Sequence, residues 1–409
     1  MTAHPAGRCP FPHGSGHRKT GQGEPADTPA VEWDGSAWHL RSYAAVRQVL
    51  RDGDRTRQGF PDIEPPFPAW MRQPVIFQDG PPHRAQRTAI ARFFTPKTVS
   101  DAYQKIMERT SDQVLGSLAA GEKADLSVLS MALATRVAAE IVGLTNSLRP
   151  GMDRRLDVML SEVAKPASRL GHAAATVRDR ARMALFYLLD VRPAVRARRK
   201  APREDVISHL LELGYSDLEI LVECATYAGA GMVTTREFIC VAAWHLLGDE
   251  GLRREYLGAD QRERHRILHE ILRLEPVASH LYRRATSDID IEHGGTVHHI
   301  PAGALLDLDI RAANADVEAV GEEPLGLCPH RDLAPGVQPQ ALSFGDGAHR
   351  CPGAFVAVQE SDVFLKRLLR LPLRTKGEPH LGWNSKLGSY EVRDFIVELD
   401  PAAHASGGA

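Results

Sequence analysis

The hydrophobic and polar positions along the chain predict a mainly helical protein. Residues 216–249 run without proline, and Ser216 and Glu219 have the spacing of a capping box at the start of a helix. Apolar residues on most faces of this segment predict one long helix through the centre of the domain. Helical periodicity also marks residues 98–118, 125–144, 152–165, 176–199, 260–276 and about 353–371.

A shorter region has the alternation that is typical of strands. In DIDIEHGGTVHHIPAGALLDLDI (288–310), apolar and polar residues alternate, and Gly294-Gly295 has the composition of a hairpin turn. The expected fold class is therefore mainly α with a minor β region.

Length and composition predict one large domain. The 409 residues are 43% hydrophobic and 25% charged, which is ordinary for a globular protein with a sizeable core. No linker, repeat or charge block divides residues 28–400, so we expect a single domain there, with flexible tails at 1–27 and 401–409. The first residues lack the apolar core of a signal peptide, and no run of 18 apolar residues predicts a membrane span.

Charge and cysteine usage exclude some classes of partner and compartment. The formal net charge of -2 argues against nucleic acid as the main partner, because phosphate binding requires a basic excess. The five cysteines are an odd number without the spacing of a disulfide framework. They favour a reducing compartment, and hence a cytoplasmic location.

The segment SFGDGAHRCPG (343–353) places Cys351 at the predicted start of a helix. A helix dipole stabilises a thiolate by only about 0.3–1 kcal/mol, too little to ionise a thiol at neutral pH. A bound metal would ionise it, whereas without one Cys351 is a buried structural residue. The absence of a CxxC motif argues against a zinc cage, but a haem iron needs only one proximal protein ligand.

The motif Phe344-Gly345-x-Gly347-x-x-x-Cys351-x-Gly353 resembles the haem-binding signature of the cytochrome P-450 superfamily. Other segments resemble that family in the same order: the DGPPHRAQR text at 79–87, an ExxR pair at 270–273 and a meander at 314–331. The resemblance implies the P-450 fold, with the long central helix over haem b and the cysteine loop on the proximal side. It also implies a monooxygenase that oxidises a small organic substrate with O2 and electrons from a separate ferredoxin and ferredoxin reductase.

The resemblance also assigns roles to individual residues. Cys351 would ligate the iron, and Thr234 would be catalytic. Cofactor contacts would come from His83, Arg87, Ala230, Arg283, Phe344, His349 and Gly353. The choice of Arg283 over its neighbour Arg284 rests on the strand pattern. A buried structural triad would consist of Glu270, Arg273 and Arg331, although the first two alone could equally form a surface ion pair.

The central helix departs from the family pattern of Ala-Gly-x-acid-Thr-Thr. Val233 stands where the acid is expected, directly before Thr234. The family threonine assists proton delivery during oxygen activation, but a helical threonine can also simply bond to the carbonyl four residues back. Protons would then arrive through water or from Glu237. The alternatives are a peroxide-driven or otherwise atypical oxidase, and a haem-binding sensor or carrier without activity.

Three further expectations concern surfaces and tails. Phe60, Phe67, Trp70 and Phe77 are candidates for a substrate wall or for ordinary core. Arg350, Lys366 and Arg367 near the cysteine loop are candidates for docking an acidic ferredoxin, or else solvated surface. Cys9 is a candidate for a second haem-sensing site, against the simpler expectation of a disordered tail.

Overall fold

The computed structural model describes residues 18–20, 28–59, 68, 70–120, 123–160, 168–384 and 389–400. The α-helices in these ranges are α1 (Tyr43–Arg51), α2 (Gly80–Ala91), α3 (Pro96–Thr98), α4 (Gln104–Ala119), α5 (Leu126–Val142), α6 (Met152–Leu160), α7 (Arg169–Phe186), α8 (Arg192–Lys200), α9 (Val206–Glu212), α10 (Asp217–Tyr227), α11 (Thr234–Gly248), α12 (Glu250–Gly258), α13 (Gln261–Leu274), α14 (Ile310–Ala313), α15 (Val317–Val320) and α16 (Ala354–Leu368).

The strands form small sheets beside this helical body. They are β1 (Val31–Trp33), β2 (Trp38–Leu40), β3 (Thr56–Gln58), β4 (Ala124–Asp125), β5 (His280–Ala285), β6 (Ile289–His293), β7 (Thr296–Ile300), β8 (Leu305–Asp309), β9 (Leu373–Thr375), β10 (His380–Asn384), β11 (Ser389–Arg393) and β12 (Ile396–Leu399). A five-stranded sheet has the order β1-β2-β8-β5-β3, and only its β2–β8 pair is parallel. The expected hairpin is confirmed as β6–β7, with positive φ at both turn glycines.

The central helix follows the predicted course but is not α-helical throughout. α10 and α11 are joined without a break by a π-helical segment, Ala228–Val233. Ser216 and Glu219 make the predicted capping box at its start. Gly229 and Gly231 lie inside the π segment, where glycine tolerates the wider turn. The expected long central helix is therefore confirmed, with a π-helical segment at 228–233 that the sequence pattern did not predict.

A second π segment, Tyr187–Val191, joins α7 to α8 and has a cause in the sequence. Pro193 has no backbone N–H, so the carbonyl of Leu189 loses its usual helical donor. That carbonyl accepts instead from the backbone N–H of Leu148 at 2.8 Å. The proline thus interrupts the regular α-helical hydrogen bonding. It also leaves a carbonyl free to bind the loop before α6.

Apolar side chains form two cores. The larger core is built mainly from α4, α5, α11, α13 and α16, and the smaller one lies between α1 and the five-stranded sheet. This arrangement confirms the predicted fold class. The sequence pattern had not identified the N-terminal sheet or α1. None of the helices in the described part of the chain is both long and apolar enough to span a membrane.

Residues 18–20 differ from the expected flexible tail. The backbone N–H of Lys19 and the hydroxyl of Thr20 both donate to the buried carboxylate of Glu275. His245 lies 3.2 Å from the same carboxylate. This short segment is therefore part of the folded domain.

Candidate functional site

The cysteine loop is shaped by its glycines and by one backbone bond. The N–H of Cys351 donates to the carbonyl of Phe344 at 2.8 Å, which closes the loop. Gly345 and Gly347 both have a φ of 67°, a left-handed conformation that other residues adopt at a cost. Gly353 caps the N-terminus of α16. The loop therefore holds the thiol immediately before the first turn of this helix.

We expect Gly347→Ala to destabilise the fold more than Gly345→Ala. Both substitutions place a side chain at positive φ, which costs roughly 1–2 kcal/mol. At Gly347 the new Cβ would also clash with the carbonyl oxygen of Leu50, whereas at Gly345 the nearest protein atom is 3.7 Å away. Overpacking of this kind adds about 1–3 kcal/mol. Urea unfolding of both variants measures the difference, and equal losses would contradict the clash.

Cys351 is half-buried, and its sulfur accepts hydrogen bonds from backbone N–H groups. Burial raises the pKa of the Cys351 thiol, while the N–H groups of Gly353 and Ala354 and the charges of Arg87 and Arg350 oppose that rise. A metal at the sulfur would take the proton's place. The cysteines with free thiols among the described residues are Cys224, Cys240 and Cys351, and Cys328 is disulfide-bonded.

A cluster of bases lies beside the cysteine loop. The rings of His83, from α2, and His349, from the loop, stack with centroids 3.9 Å apart. Arg87 donates to the carbonyl of Arg350. Burial, together with the charges of His349 and Arg87, lowers the pKa of His83 to about 4. Arg283, on β5, is 4% exposed, and burial lowers its pKa to about 10.

These bases outnumber the carboxylates around them. Asp79, which lies 3.0 Å from His349, is the carboxylate that acts on both His83 and Arg283. Cationic groups in such a site are costly unless anions pair with them. The two carboxylates of a haem would supply those anions, so this cluster fits the propionate side of the cofactor.

The structure distinguishes Arg283 from its neighbour. Arg283 donates to the side chain of Gln58 and faces the cluster, whereas Arg284 donates to the carbonyl of Gly303 at 2.9 Å on the outer side. Successive residues of a strand point to opposite faces, so only one of the two can reach the cluster.

The π segment of the central helix leaves room where a flat cofactor would lie. An added Cβ at Gly231 would meet no protein atom within 4 Å. The hydroxyl of Thr234 donates to the carbonyl of Ala230 at 2.8 Å, so its lone pairs are the groups that it offers outward. Val233 is buried and brings no polar group.

Glu237 does not face this space. Its Oε1 accepts from Arg236 at 2.8 Å and from Arg393 at 2.7 Å, and its Oε2 accepts from the N–H of Val392 at 2.9 Å. The carboxylate is 2% exposed and fastens α11 to β11. The suggestion that Glu237 relays protons beside Thr234 is therefore wrong.

Glu270 joins two arginines on the opposite side of the core. Arg273 donates to both of its oxygens at 2.8 Å, and Arg331 lies 3.4 Å from Oε1. The carbonyls that these two arginines bind belong to Asn314, Pro324, Gly326, Val320, Glu322 and Glu323. The three side chains thus tie the 314–331 segment to α13 from inside the protein, which a surface ion pair could not do.

Other predicted residues lie apart from the site or outside the described ranges. The side chain of Trp70 is 75% exposed, which fits neither a substrate wall nor core, and Phe77 is half-buried. Arg367 is paired with Asp112 at 2.8 Å, so the structure removes it from the docking cations, while Arg350 is exposed and Lys366 half-buried. Cys9, Phe60 and Phe67 lie outside the described residues.

A buried polar network was not found from the sequence. Gln86 donates to Glu223 at 2.6 Å, and Gln78 donates to Gln86 at 2.6 Å. The backbone N–H of Val75 also bonds to Glu223, and burial raises the pKa of this carboxyl to about 7. Within the described residues, its Oε2 and the hydroxyl of Tyr227 have no hydrogen-bond partner. The sequence signal that could have indicated this network is the i, i+4 spacing of residues 219, 223 and 227, which places them on one face of the helix.

We expect Glu223 to make stability fall as pH rises. Its folded-state pKa of about 7 exceeds the reference of 4.5, so the folded state binds the proton more tightly. Between those values the free energy of unfolding falls with pH, by at most about 3 kcal/mol. Glu223→Gln should lose this slope in urea titrations at pH 5 to 8. Burial also raises the pKa of Glu360 to about 8, but this residue titrates in both proteins, so its contribution cancels in the difference between them. If the free energies of unfolding of the two proteins ran parallel with pH, the raised pKa would not belong to Glu223.

The known proteins that this chain resembles are cytochrome P450s. The cytochrome P450 family model matches residues 265–371. The chain is 28% identical to cytochrome P450 GfsF of Streptomyces halstedii, covering 88% of this chain and 86% of that protein. It is 29% identical to erythromycin C-12 hydroxylase of Saccharopolyspora erythraea, covering 81% of each. The structure of CYP109B1 from Bacillus subtilis superposes with a TM-score of 0.73 at 22% identity, over 91% of this chain and 96% of that one.

The sequence relatives, the shared fold and the cysteine loop agree. Along most of its length the chain is similar to members of the cytochrome P450 family. It is a monooxygenase, and its cofactor is haem b held by a cysteine thiolate.

Proposed function

We propose that this P450 hydroxylates a small organic substrate with O2 and electrons from a separate ferredoxin and ferredoxin reductase. The observation that carries the proposal is the free thiol of the half-buried Cys351 beside the basic cluster. Haem bound there supplies the chemistry that joins one oxygen atom to a C–H carbon and reduces the other to water, using two electrons and two protons.

The residues of the chain have separate tasks in this proposal. Cys351 holds the iron, and the N–H groups of Gly353 and Ala354 tune its sulfur. His83, Arg87, Arg283 and His349 hold the propionates, while Phe344 and Ala230 shape the two faces. Glu270, Arg273 and Arg331 keep the framework rigid.

Thr234 accepts a hydrogen bond on the substrate side in this proposal. Its own proton is directed to the carbonyl of Ala230, so a proton donor bound beside it would approach its lone pairs. Because Val233 cannot hold a proton and Glu237 is fully bonded elsewhere, protons come through water rather than from an adjacent acid.

Relatives support the substrate class. The relatives include a pentalenic acid synthase of Streptomyces avermitilis and a mycinamicin IV hydroxylase/epoxidase of Micromonospora griseorubida. We infer that the substrate of this chain is a compound of the same general kind.

The first test combines spectroscopy and turnover of the wild-type protein. A strongly red-shifted Soret band of the reduced, carbon-monoxide-bound form and product formation with ferredoxin and reductase would support the proposal. Product with peroxide but none with the reductase system would favour a peroxide-driven oxidase, for which Val233 is the motivating feature. Haem binding without product from either source would favour the sensor or carrier.

A further inference from the structure

Positively charged residues of the chain are concentrated on α7 and α8. Between residues 171 and 203 the sequence has nine lysines and arginines against two aspartates, whereas the whole chain has 50 against 52 acids. This segment comprises α7, its π segment and α8. A local excess of this size creates a strongly positive field on an otherwise balanced protein.

The cations of α8 lie on its outward side. Apart from the buried Arg198, those cations have the spacing i, i+4, i+7 and i+8, which places them in one stripe along the helix, and Arg203 follows three residues after the end of α8. We call this the α8 stripe, and it consists of Arg192, Arg196, Arg199, Lys200 and Arg203. The stripe is exposed except for the half-buried Arg192, while Ala194, Val195 and Arg198 face the core.

Most of the stripe has no counter-charge. Arg199 is paired with Asp217, but within the described part of the chain no carboxylate pairs with the other four side chains. Cations in the last turn of a helix stabilise its dipole, which accounts for Arg199 and Lys200. It does not account for Arg192 and Arg196, which lie earlier in the helix.

The stripe continues into exposed apolar residues on α7. Val177, Leu185 and Leu188 are 66%, 51% and 45% exposed. Leu188 lies one turn before Arg192, so the same outward side changes from apolar to cationic along its length. We call the whole surface the α7–α8 face. Exposed apolar side chains next to cations are typical of a protein-binding surface rather than a phosphate-binding one.

The α7–α8 face adjoins the loop that leads to the haem site. Arg199 bonds to Asp217 at the first turn of α10. At the same corner, Arg72 lies 4.5 Å from the ring of Tyr215, and its N–H donates to Glu219 at 2.9 Å. The cysteine loop instead leads into α16, which packs against α4, α11 and α13. A partner on the α7–α8 face is therefore placed to present a substrate rather than electrons.

We propose that the α7–α8 face docks an acidic, helical carrier protein that presents the substrate. This inference rests on the proposed function, because it assigns that function a tethered substrate. An acidic helix with exposed apolar side chains complements both halves of the face. A second copy of the chain would bring like charges together, and a membrane would favour cations at the border of the apolar surface rather than beyond its end.

Binding of a holo acyl carrier protein, an acidic helical protein, tests this proposal. We expect saturable binding to the haem-loaded enzyme that weakens as salt is raised from 50 to 200 mM, as roughly expected for a charged interface. The triple variant R196E/K200E/R203E should weaken it at least about tenfold. The matched control K105E/R109E/R136E changes the same charge at exposed positions of α4 and α5 and should leave it within about twofold.

Several outcomes would overturn the inference. The first is that the enzyme does not bind the carrier protein saturably, and the second is that both triple variants weaken this binding equally. The third is that the enzyme binds phosphatidylglycerol vesicles and that only the α8 variant loses this binding. A dimer that the same variant dissociates would assign the face to a second copy instead. The neutral variant R196Q/K200Q/R203Q should give the same direction if charge reversal harms folding. The carbon-monoxide spectrum of the same preparation separates these failures from failure of the proposed function.

Discussion

Replacing Cys351 with serine is expected to abolish the red-shifted Soret band of the reduced, carbon-monoxide-bound protein, together with monooxygenase turnover. Serine keeps the size of the residue but cannot supply a thiolate, because its hydroxyl does not ionise under these conditions. The backbone N–H groups that bond to the sulfur would then face a neutral oxygen. The remaining haem would be held mainly through its propionates and would lose its strongest tie to the protein.

The control for this variant is Cys240→Ser. Cys240 is also free and fully buried, and its sulfur lies 3.8 Å from the hydroxyl of Ser130. That neighbour can accept or donate to a new hydroxyl, so the fold should tolerate the exchange and the band should remain. A band that survives in Cys351→Ser would remove this residue from the iron, and with it the proposed mechanism.

Glu270→Ala is expected to cost about 3–5 kcal/mol of stability, as loss of one partner of a buried ion pair does. Arg273 is fully buried, and the substitution would leave its guanidinium and that of Arg331 without a carboxylate. The N–H of Cys328, which donates to Glu270 at 2.9 Å, would lose its acceptor as well. Since a loss of this size rivals the whole stability of many domains, the variant should unfold or fail to retain haem.

Glu263→Ala provides the comparison within the same helix. This residue is half-buried on α13, and its carboxylate lies 3.3 Å from Arg266, also at i, i+3. We expect a loss within about 0.5 kcal/mol. Urea unfolding of both variants and their haem content measure the contrast. If the two losses were alike, Glu270 would be an ordinary helix ion pair.

Local sequence signals were sufficient for much of the fold and for the cysteine loop. The capping box at Ser216 and the two turn glycines before β7 depend on neighbours within a few residues, and such features can be read directly. Gly345 and Gly347 are likewise a local signal, because glycine favours the left-handed backbone of the sharp turn that they make before Cys351. The bonds of the Glu270 cluster connect 270 to 331, so its buried position came from the resemblance and not from helix spacing.

Features that depend on distant partners could not be found in the same way. The π segment before Pro193 is stabilised by Leu148, and Glu237 is occupied by β11, more than 150 positions later. The pKa of Glu223 depends on its burial under the 72–78 loop, which no local pattern records. The sequence indicated Arg367 as a cation available for docking, because its partner Asp112 lies 255 positions earlier in the chain.

The contact between Gly347 and the carbonyl of Leu50 has a consequence for how the protein is made. A ribosome completes α1 almost 300 residues before it reaches the cysteine loop, yet the loop packs directly on the end of that helix. The basic cluster likewise joins α2, β5 and the loop, so it is incomplete on any nascent chain that stops before α16. The complete cluster therefore forms only after the cysteine loop has been synthesised, and the early part of the chain stays in a partly assembled state until then.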